Sequence, residues 1–221
     1  MPMPTLQTIV CLANSKKLGA YCVAGVDPAT REWIRPLGSG SHGAVTKQEQ
    51  ELDDGTRPGL LDLIEIPLGR AVPQHGQPEN WELARGPWRR TGRLNDEDAR
   101  ALLEALSIEA PVFGTNERSI SVAEVEAGNV PSSLAVVRPQ QLRWTKRVWP
   151  EGTKIRAVFR HAGVWHDLPV TDPAWIAEFV DDSPGDFRHD DAEQVYLVLS
   201  LGEPMDDEHW KLVAGVLCLS A

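Results

Sequence analysis

Several things are scarce in this 221-residue sequence, and each scarcity excludes a class. There are only three cysteines, an odd number, and Cys11 and Cys218 sit inside apolar runs. They read as reduced core residues, which excludes a disulfide frame and predicts a cytoplasmic protein. No apolar stretch approaches the ~20 residues that cross a bilayer as a helix. The opening MPMPTLQTIV has no basic region of the kind that starts a secretory signal, and no membrane association is predicted. Catalytic motifs are missing too. No G-x-S-x-G, phosphate-cradling G-x-x-x-x-G-K-[ST], H-E-x-x-H, EF-hand or paired-cysteine pattern occurs. Ser39, Ser41 and His42 crowd together in a Gly/Ser-rich stretch, which reads as a loop. His161 and His166 flank a predicted turn and could approach each other. His189-Asp190-Asp191 and Asp206-Asp207-Glu208-His209 read as solvated acidic turns. The expectation is therefore a binding protein, not an enzyme, with no catalytic residue, metal or cofactor.

Bases are also in deficit, with 22 Lys and Arg against 32 Asp and Glu for a formal charge of -10. The imbalance is local. Residues 171–210 carry twelve acids and one base, Arg188, so the remainder is close to neutral. Such a chain repels a polyanion at long range, but screening within about 8–10 Å leaves room for a short-range site on a basic patch. Two patches qualify. Residues 85–93 hold four arginines and no acid, and residues 138–160 hold seven bases against Glu151 alone.

Strand-like apolar runs occupy residues 5–13, 20–27, 32–37 and 60–68, the last ending at Pro67, with a short strand near Trp81–Leu83. Residues 38–59 read as a long loop. Asn95 caps a helix over 95–106 whose Ala99, Leu102, Leu103 and Leu106 share a face. Ser121 and Glu124 form a capping-box pattern for a second helix. Strands resume from Ser133, with a hairpin turn at Ala162-Gly163. Asp172-Pro173 opens a third helix that buries Trp175, Ile176, Phe179 and Val180. An acidic loop over 181–193 precedes two closing strands, 194–202 and 209–219. Parallel βαβ alternation is absent, so the predicted class is mainly β with a few helices. The string VAGV occurs twice, at 23–26 and 213–216, and reads as a chance coincidence of small apolar strand residues.

The segment CLANSKKLGAYCVAGVDPATREWIRPLG (11–38) resembles the opening of the bacterial dual OB-containing domain family. YLVLSLGEP (196–204), WKLVAGVL (210–217) and SLAVVRPQQLRW (133–144) fit the same family. The resemblance implies two packed OB-fold-like small β-barrels, here over residues 1–94 and 133–221 with a helical connecting segment over 95–132. It also implies a role in nucleic-acid transactions, within a prokaryotic defence or mobile-element system. It carries over no catalytic residues.

Single-strand binders set aromatic platforms beside a cationic groove, because phosphates need charge and every base offers a π face. RGPWRR places Trp88 among Arg85, Arg89 and Arg90. LRWTKRVW places Trp144 and Trp149 among Arg143, Lys146 and Arg147. On a strand over 142–149, Arg143, Thr145, Arg147 and Trp149 share one face and Leu142, Trp144, Lys146 and Val148 the other, so at most one of that tryptophan pair is exposed. The predicted nucleic-acid site is Arg85, Trp88, Arg89, Arg90, Arg143, Lys146, Arg147 and Trp149, holding a single strand once both clusters meet in one groove. The alternative is a protein-interaction module that docks through the acidic residues 181–208, including Asp181, Asp182, Asp190 and Asp191.

Overall fold

The computed structural model describes residues 5–17, 19–74, 76–149, 152–188 and 193–220. The first barrel is built from β1 (Thr5–Lys17), β2 (Ala20–Val26), β3 (Trp33–Leu37), β4 (Asp62–Ala71) and β5 (Asn80–Leu83). The strands run in the order β1-β2-β3-β5-β4, and β4 pairs back onto β1 to close the ring. The β3–β5 pairing is parallel and its neighbours are antiparallel. A further strand, β6 (Arg89–Arg93), lies along β4. Alternation puts Ile64, Ile66 and Leu68 inside, against Ile9, Cys11, Val23, Ile34 and Trp88.

Two boundaries differ from the sequence expectation. β1 continues through Asn14–Lys17, which still pair with β2, so the turn is shorter than the gap between the runs 5–13 and 20–27 suggests. β4 runs through Pro67 to Ala71. Its partner on that edge is β6 for residues 62–65 and β5 from Leu68 onward, so Pro67 falls at the hand-over, where its missing N–H breaks no ladder.

The connecting segment contains α1 (Asp96–Leu106), whose Asn95 side chain accepts from the Asp98 amide at 2.9 Å. It also contains α2 (Val122–Glu126), closed by the expected Ser121/Glu124 capping box. Between them β7 (Ser119–Ser121) pairs with the last strand of the chain, so the segment supplies a strand to the second unit.

That unit comprises β8 (Leu134–Val137), β9 (Gln140–Trp149), β10 (Gly152–His161), β11 (Val164–Pro169), α3 (Pro173–Glu178), β12 (Gly185–Arg188), β13 (Glu193–Met205) and β14 (Glu208–Ser220). They form two four-stranded sheets, β11-β10-β9-β12 and β7-β14-β13-β8. The sheets are joined where the chain leaving β11 runs parallel to β14. Val170 bridges Val213, and the Thr171 amide donates to the Val213 carbonyl at 2.9 Å. The path β9-β10-β11-β14-β13 therefore repeats the order β1-β2-β3-β5-β4, including the parallel contact between third and fifth strands. Among the described residues β13 does not pair with β9, so this barrel is half open. The chain is mainly β with a few helices, one closed five-stranded barrel packed on a half-barrel of the same order.

Ala162 and Gly163 make the β10–β11 turn with φ of 48° and 82°, the positive pair of a tight hairpin. Asp172 caps α3 with Pro173 at its first position, as expected. Val180 does not belong to the buried face of α3: the helix ends at Glu178, and Val180 is 67% exposed.

The two units meet through a shared apolar layer. Val10, Leu12, Ala24 and Val26 of the first barrel pack with Tyr196, Val198, Ala214 and Leu217 of the second. Here both VAGV strings find their use. They lie on β2 and β14, which are not equivalent strands, so they are not a repeat. A Cβ on Gly25 would sit 2.2 Å from the Val10 carbonyl oxygen, and one on Gly215 would sit 2.3 Å from that of Leu12. Each glycine lets a strand press against the backbone of β1.

Candidate nucleic-acid interface

Most of the N-terminal basic cluster is already buried or paired with carboxylates. Trp88 is 0% exposed in the core of the first barrel, because Leu52 bridges its backbone and Ile64 and Ile66 surround it; it offers no ring face to a base. Arg89 donates twice to Glu65, at 3.0 and 2.6 Å, and this carboxylate holds the guanidinium above its ordinary pKa. Arg90 pairs with Asp62 at 2.9 Å and Asp54 at 3.3 Å, and Arg93 with Asp62 at 3.0 Å. The acids come from β4 and the preceding loop, far away in sequence, so RGPWRRTGR looks uncompensated only in one dimension. Arg85 is exposed and borders a cleft with Arg89, Glu65 and Asp53.

Lys146 is corrected in the same way. It is 3% exposed, and its ammonium donates to the carbonyls of Phe179, Val180 (3.1 Å) and Asp182 (2.6 Å). It ties β9 to the end of α3 and faces the interior beside Trp144, as its place in the alternation requires.

The remaining members fall on one surface. β10 alternates cleanly, with Ile155, Ala157, Phe159 and His161 buried and Lys154, Arg156, Val158 and Arg160 turned outward. Register puts Arg143 opposite Val158, Arg147 opposite Lys154, and Trp149 opposite Gly152. Across β11, Asp167 faces Val158 and Trp165 faces Arg160; across β12, Arg188 faces Arg143 and Asp186 faces Thr145. The outer face of this sheet thus carries Arg143, Arg147, Lys154, Arg156, Arg160 and Arg188, with Arg118 reaching in from before β7. Against them stand Asp167 and Asp186. Asp167 is taken by Arg156 at 2.5 Å and Arg118 at 3.5 Å; Asp186 accepts from Thr145 at 2.8 Å and lies 3.9 Å from Arg147. Arg143, Lys154, Arg160 and Arg188 have no carboxylate partner among the described residues.

Two indoles stand on the same face, Trp149 53% and Trp165 57% exposed. Lys154 Nζ lies 5.6 Å from the centre of the Trp149 ring. A cleft of about 340 Å³ is lined by Trp165, Arg143, Arg118, Val158, His166 and Asp167. Trp144 is buried among Trp175 and Phe179, so one tryptophan of LRWTKRVW is core and one is surface, as strand alternation demands.

Sequence reasoning omitted Lys154, Arg156, Arg160, Trp165, Arg188 and Arg118 from the site. The first three were visible as alternate residues of one strand, and Trp165 as an alternate position of the next. What was missing was the register that sets them beside Arg143 and Arg147. The two basic clusters do not converge: they belong to different barrels and line different clefts.

The acidic segment 181–208 is also divided. Asp186 lies on β12 beside the basic face, Glu203 pairs with Lys17 at 2.7 Å, and Asp206 and Asp207 form the β13–β14 turn. Much of what lies between is the buried strand β13, so among the described residues the acids of this segment fall in separate places. Asp190 and Asp191, with His189, lie outside the described residues.

The rings of His161 and His166 do approach, with centroids 6.2 Å apart. Burial pushes the His166 imidazole below its ordinary pKa, with the nearby Lys211 charge adding to the effect. Among the described residues no group of three or more His, Cys, Asp or Glu could hold a metal, and no helix is long and apolar enough to cross a membrane.

The equivalent face of the first barrel is not available. Its β1–β2 outer surface is the apolar layer that packs on β13 and β14. Among the described residues the second barrel, by contrast, presents Arg143, Arg147, Lys154, Arg160 and Trp165 of its first three strands to solvent.

No curated protein matches the chain. A crystal structure of the tetrameric p202 HIN2 overlaps 99% of this chain and 94% of its own at 9% sequence identity, with a TM-score of 0.30. A family model described as the dual OB-containing domain matches residues 7–216. The chain, whose two units share one strand order, belongs to the dual OB-containing domain family.

Proposed function

We propose that the protein binds single-stranded nucleic acid on the outer face of β9–β12, as a binding module without a catalytic step of its own. OB barrels in general bind oligonucleotides on the face of their second and third strands and on the flanking loops. β10 and β11 hold those places here, and Trp149 stands at the end of the β9–β10 hairpin. The observation that carries the proposal is the pairing of seven cations and two carboxylates with two exposed indoles on that face, in a chain whose net charge is -10. Stacking on indole is sequence-tolerant and needs unpaired bases, which favours a single strand over a duplex.

Gly152, opposite Trp149, and Arg160, opposite Trp165, are eight residues apart on β10, about 26 Å at a rise of ~3.3 Å per residue. A strand that uses both platforms therefore spans the sheet, within the ~4–16 nucleotides that one OB barrel accommodates. The test is a titration of labelled single-stranded and duplex oligonucleotides against the protein and Trp165→Ala. Loss of one stacking platform is expected to weaken single-strand binding roughly 5- to 150-fold. Equal affinity for Trp165→Ala and the parent, or tighter binding of duplex, refutes it.

A further inference from the structure

Where the second barrel covers the first, the seal is incomplete. A cleft of about 240 Å³ remains, lined on one side by Ser15, Lys16, Lys17, Cys22, Arg35 and Gln77, and on the other by Ser200–Glu203 and Leu212. On the first barrel these residues come from the end of β1, from β2 and β3, and from the β4–β5 loop. This is the position at which an OB barrel receives its ligand, reduced by the second barrel to a volume of about eight water molecules at ~30 Å³ each. A small ligand, or the end of a strand, can enter.

The chemistry of the cleft is set by Arg35, which is only 3% exposed. One of its terminal nitrogens, Nη2, donates to Ser133 Oγ at 2.5 Å and lies 3.1 Å from Glu79 Oε1, while the Ser133 hydroxyl donates to the same carboxylate. Its Nε is buried with no partner, as is Oε2 of the paired Glu79, and no bond from Nη1 to a described residue completes the guanidinium. A buried cation with unused donors is costly unless something accepts them. Lys17 is held by Glu203 at 2.7 Å, and Lys16 has no acidic partner among the described residues. Each of the two carboxylates near the cleft is thus matched by a cation, and one positive charge is left over. Leu201, Leu212 and Cys22 make the rest of the wall apolar.

We infer that this inter-barrel cleft is a second binding site, for a small phosphate group that accepts from Arg35, separate from the outer face of β9–β12. The phosphate could arrive as inorganic phosphate, as a nucleoside monophosphate or as the phosphorylated end of a strand. Cys22 lines the cleft and is half-buried, whereas Cys11 is fully buried, so alkylation read by mass spectrometry reports the site with an internal control.

The probes are inorganic phosphate, a nucleoside 5′-monophosphate, and one oligonucleotide with and without a 5′-phosphate, each against potassium chloride at equal ionic strength. At ten times the dissociation constant, Cys22 alkylation is expected to slow about tenfold, because only the free cleft reacts. Protection by phosphate and monophosphate marks a small-molecule site; protection by the phosphorylated oligonucleotide alone marks a strand-end site. Rates no different from those in chloride overturn the inference, as does equal protection by the 5′-hydroxyl oligonucleotide. Arg35→Lys is expected to abolish protection; if that variant does not fold, the alkylation of the parent protein still decides. Arg143→Ala/Arg160→Ala, on the other face, leaves the protection unchanged, so loss of strand binding there does not affect this result.

Discussion

Removing Arg143 and Arg160 together separates a cationic strand-binding face from a merely solvated sheet. Both are exposed on the outer surface of β9–β11, and neither has a carboxylate partner among the described residues, so the substitutions break no ion pair. Four cations on this face are uncompensated: Arg143, Lys154, Arg160 and Arg188. For a single strand, log K falls with log salt by about 0.7 for each phosphate neutralised, so four contacts give a slope of about -2.8. Raising salt fourfold then weakens binding roughly 50-fold. Arg143→Ala/Arg160→Ala halves the number of contacts, lowers the slope to about -1.4, and reduces the same salt effect to roughly sevenfold. The assay is fluorescence anisotropy of a labelled oligothymidine over a potassium chloride series, with thermal unfolding to show that the variant is folded. Arg89→Ala/Arg90→Ala serves as the contrast. Those guanidiniums already neutralise Glu65, Asp54 and Asp62, so their loss frees carboxylates and leaves the slope near its parental value. A parental slope in the Arg143/Arg160 variant, or a larger drop in the Arg89/Arg90 variant, refutes the assignment.

Further outcomes follow from the packing. Gly215→Ala brings a Cβ within 2.3 Å of the Leu12 carbonyl oxygen, a backbone atom that cannot rotate away, and is expected to destabilise the protein by about 1–3 kcal/mol or more in urea unfolding; unchanged stability would show that the inter-barrel contact is looser than the structure has it. Lys146→Met strands three carbonyls that the ammonium satisfies, and a loss of at least ~2 kcal/mol is expected by the same measurement. Burial depresses the Lys211 ammonium to about 8, where it donates to the Val112 and Thr115 carbonyls at 2.8 and 2.6 Å. Between about pH 8 and 10.5 the unfolded chain binds more protons at this group than the folded one does, so its contribution raises stability with pH. Comparing urea midpoints across that range, Lys211→Met is expected to lack this rise.

The local elements were legible because short-range physics sets them. Asn95, the Ser121/Glu124 box and Asp172-Pro173 start helices by satisfying their own first amides, a requirement that lies within four residues of sequence. The alternation of 142–149 already divided Trp144 from Trp149. The family resemblance supplied the two barrels, and the matched residues agree with it.

What the tertiary structure decided is which charges remain uncompensated. RGPWRRTGR and LRWTKRVW look alike in sequence. Closure of the first barrel sets Asp62 and Glu65 beside the first and buries its tryptophan. The register of β9 with β10, β11 and β12 sets five further cations or indoles beside the second. A charge is neutralised by neighbours in space within 4 Å, and those neighbours come from strands 11 to 39 residues away. The order of residues along the chain by itself determined short strands with alternating faces and the helix starts; the pairing of strands determined which face can hold an anion.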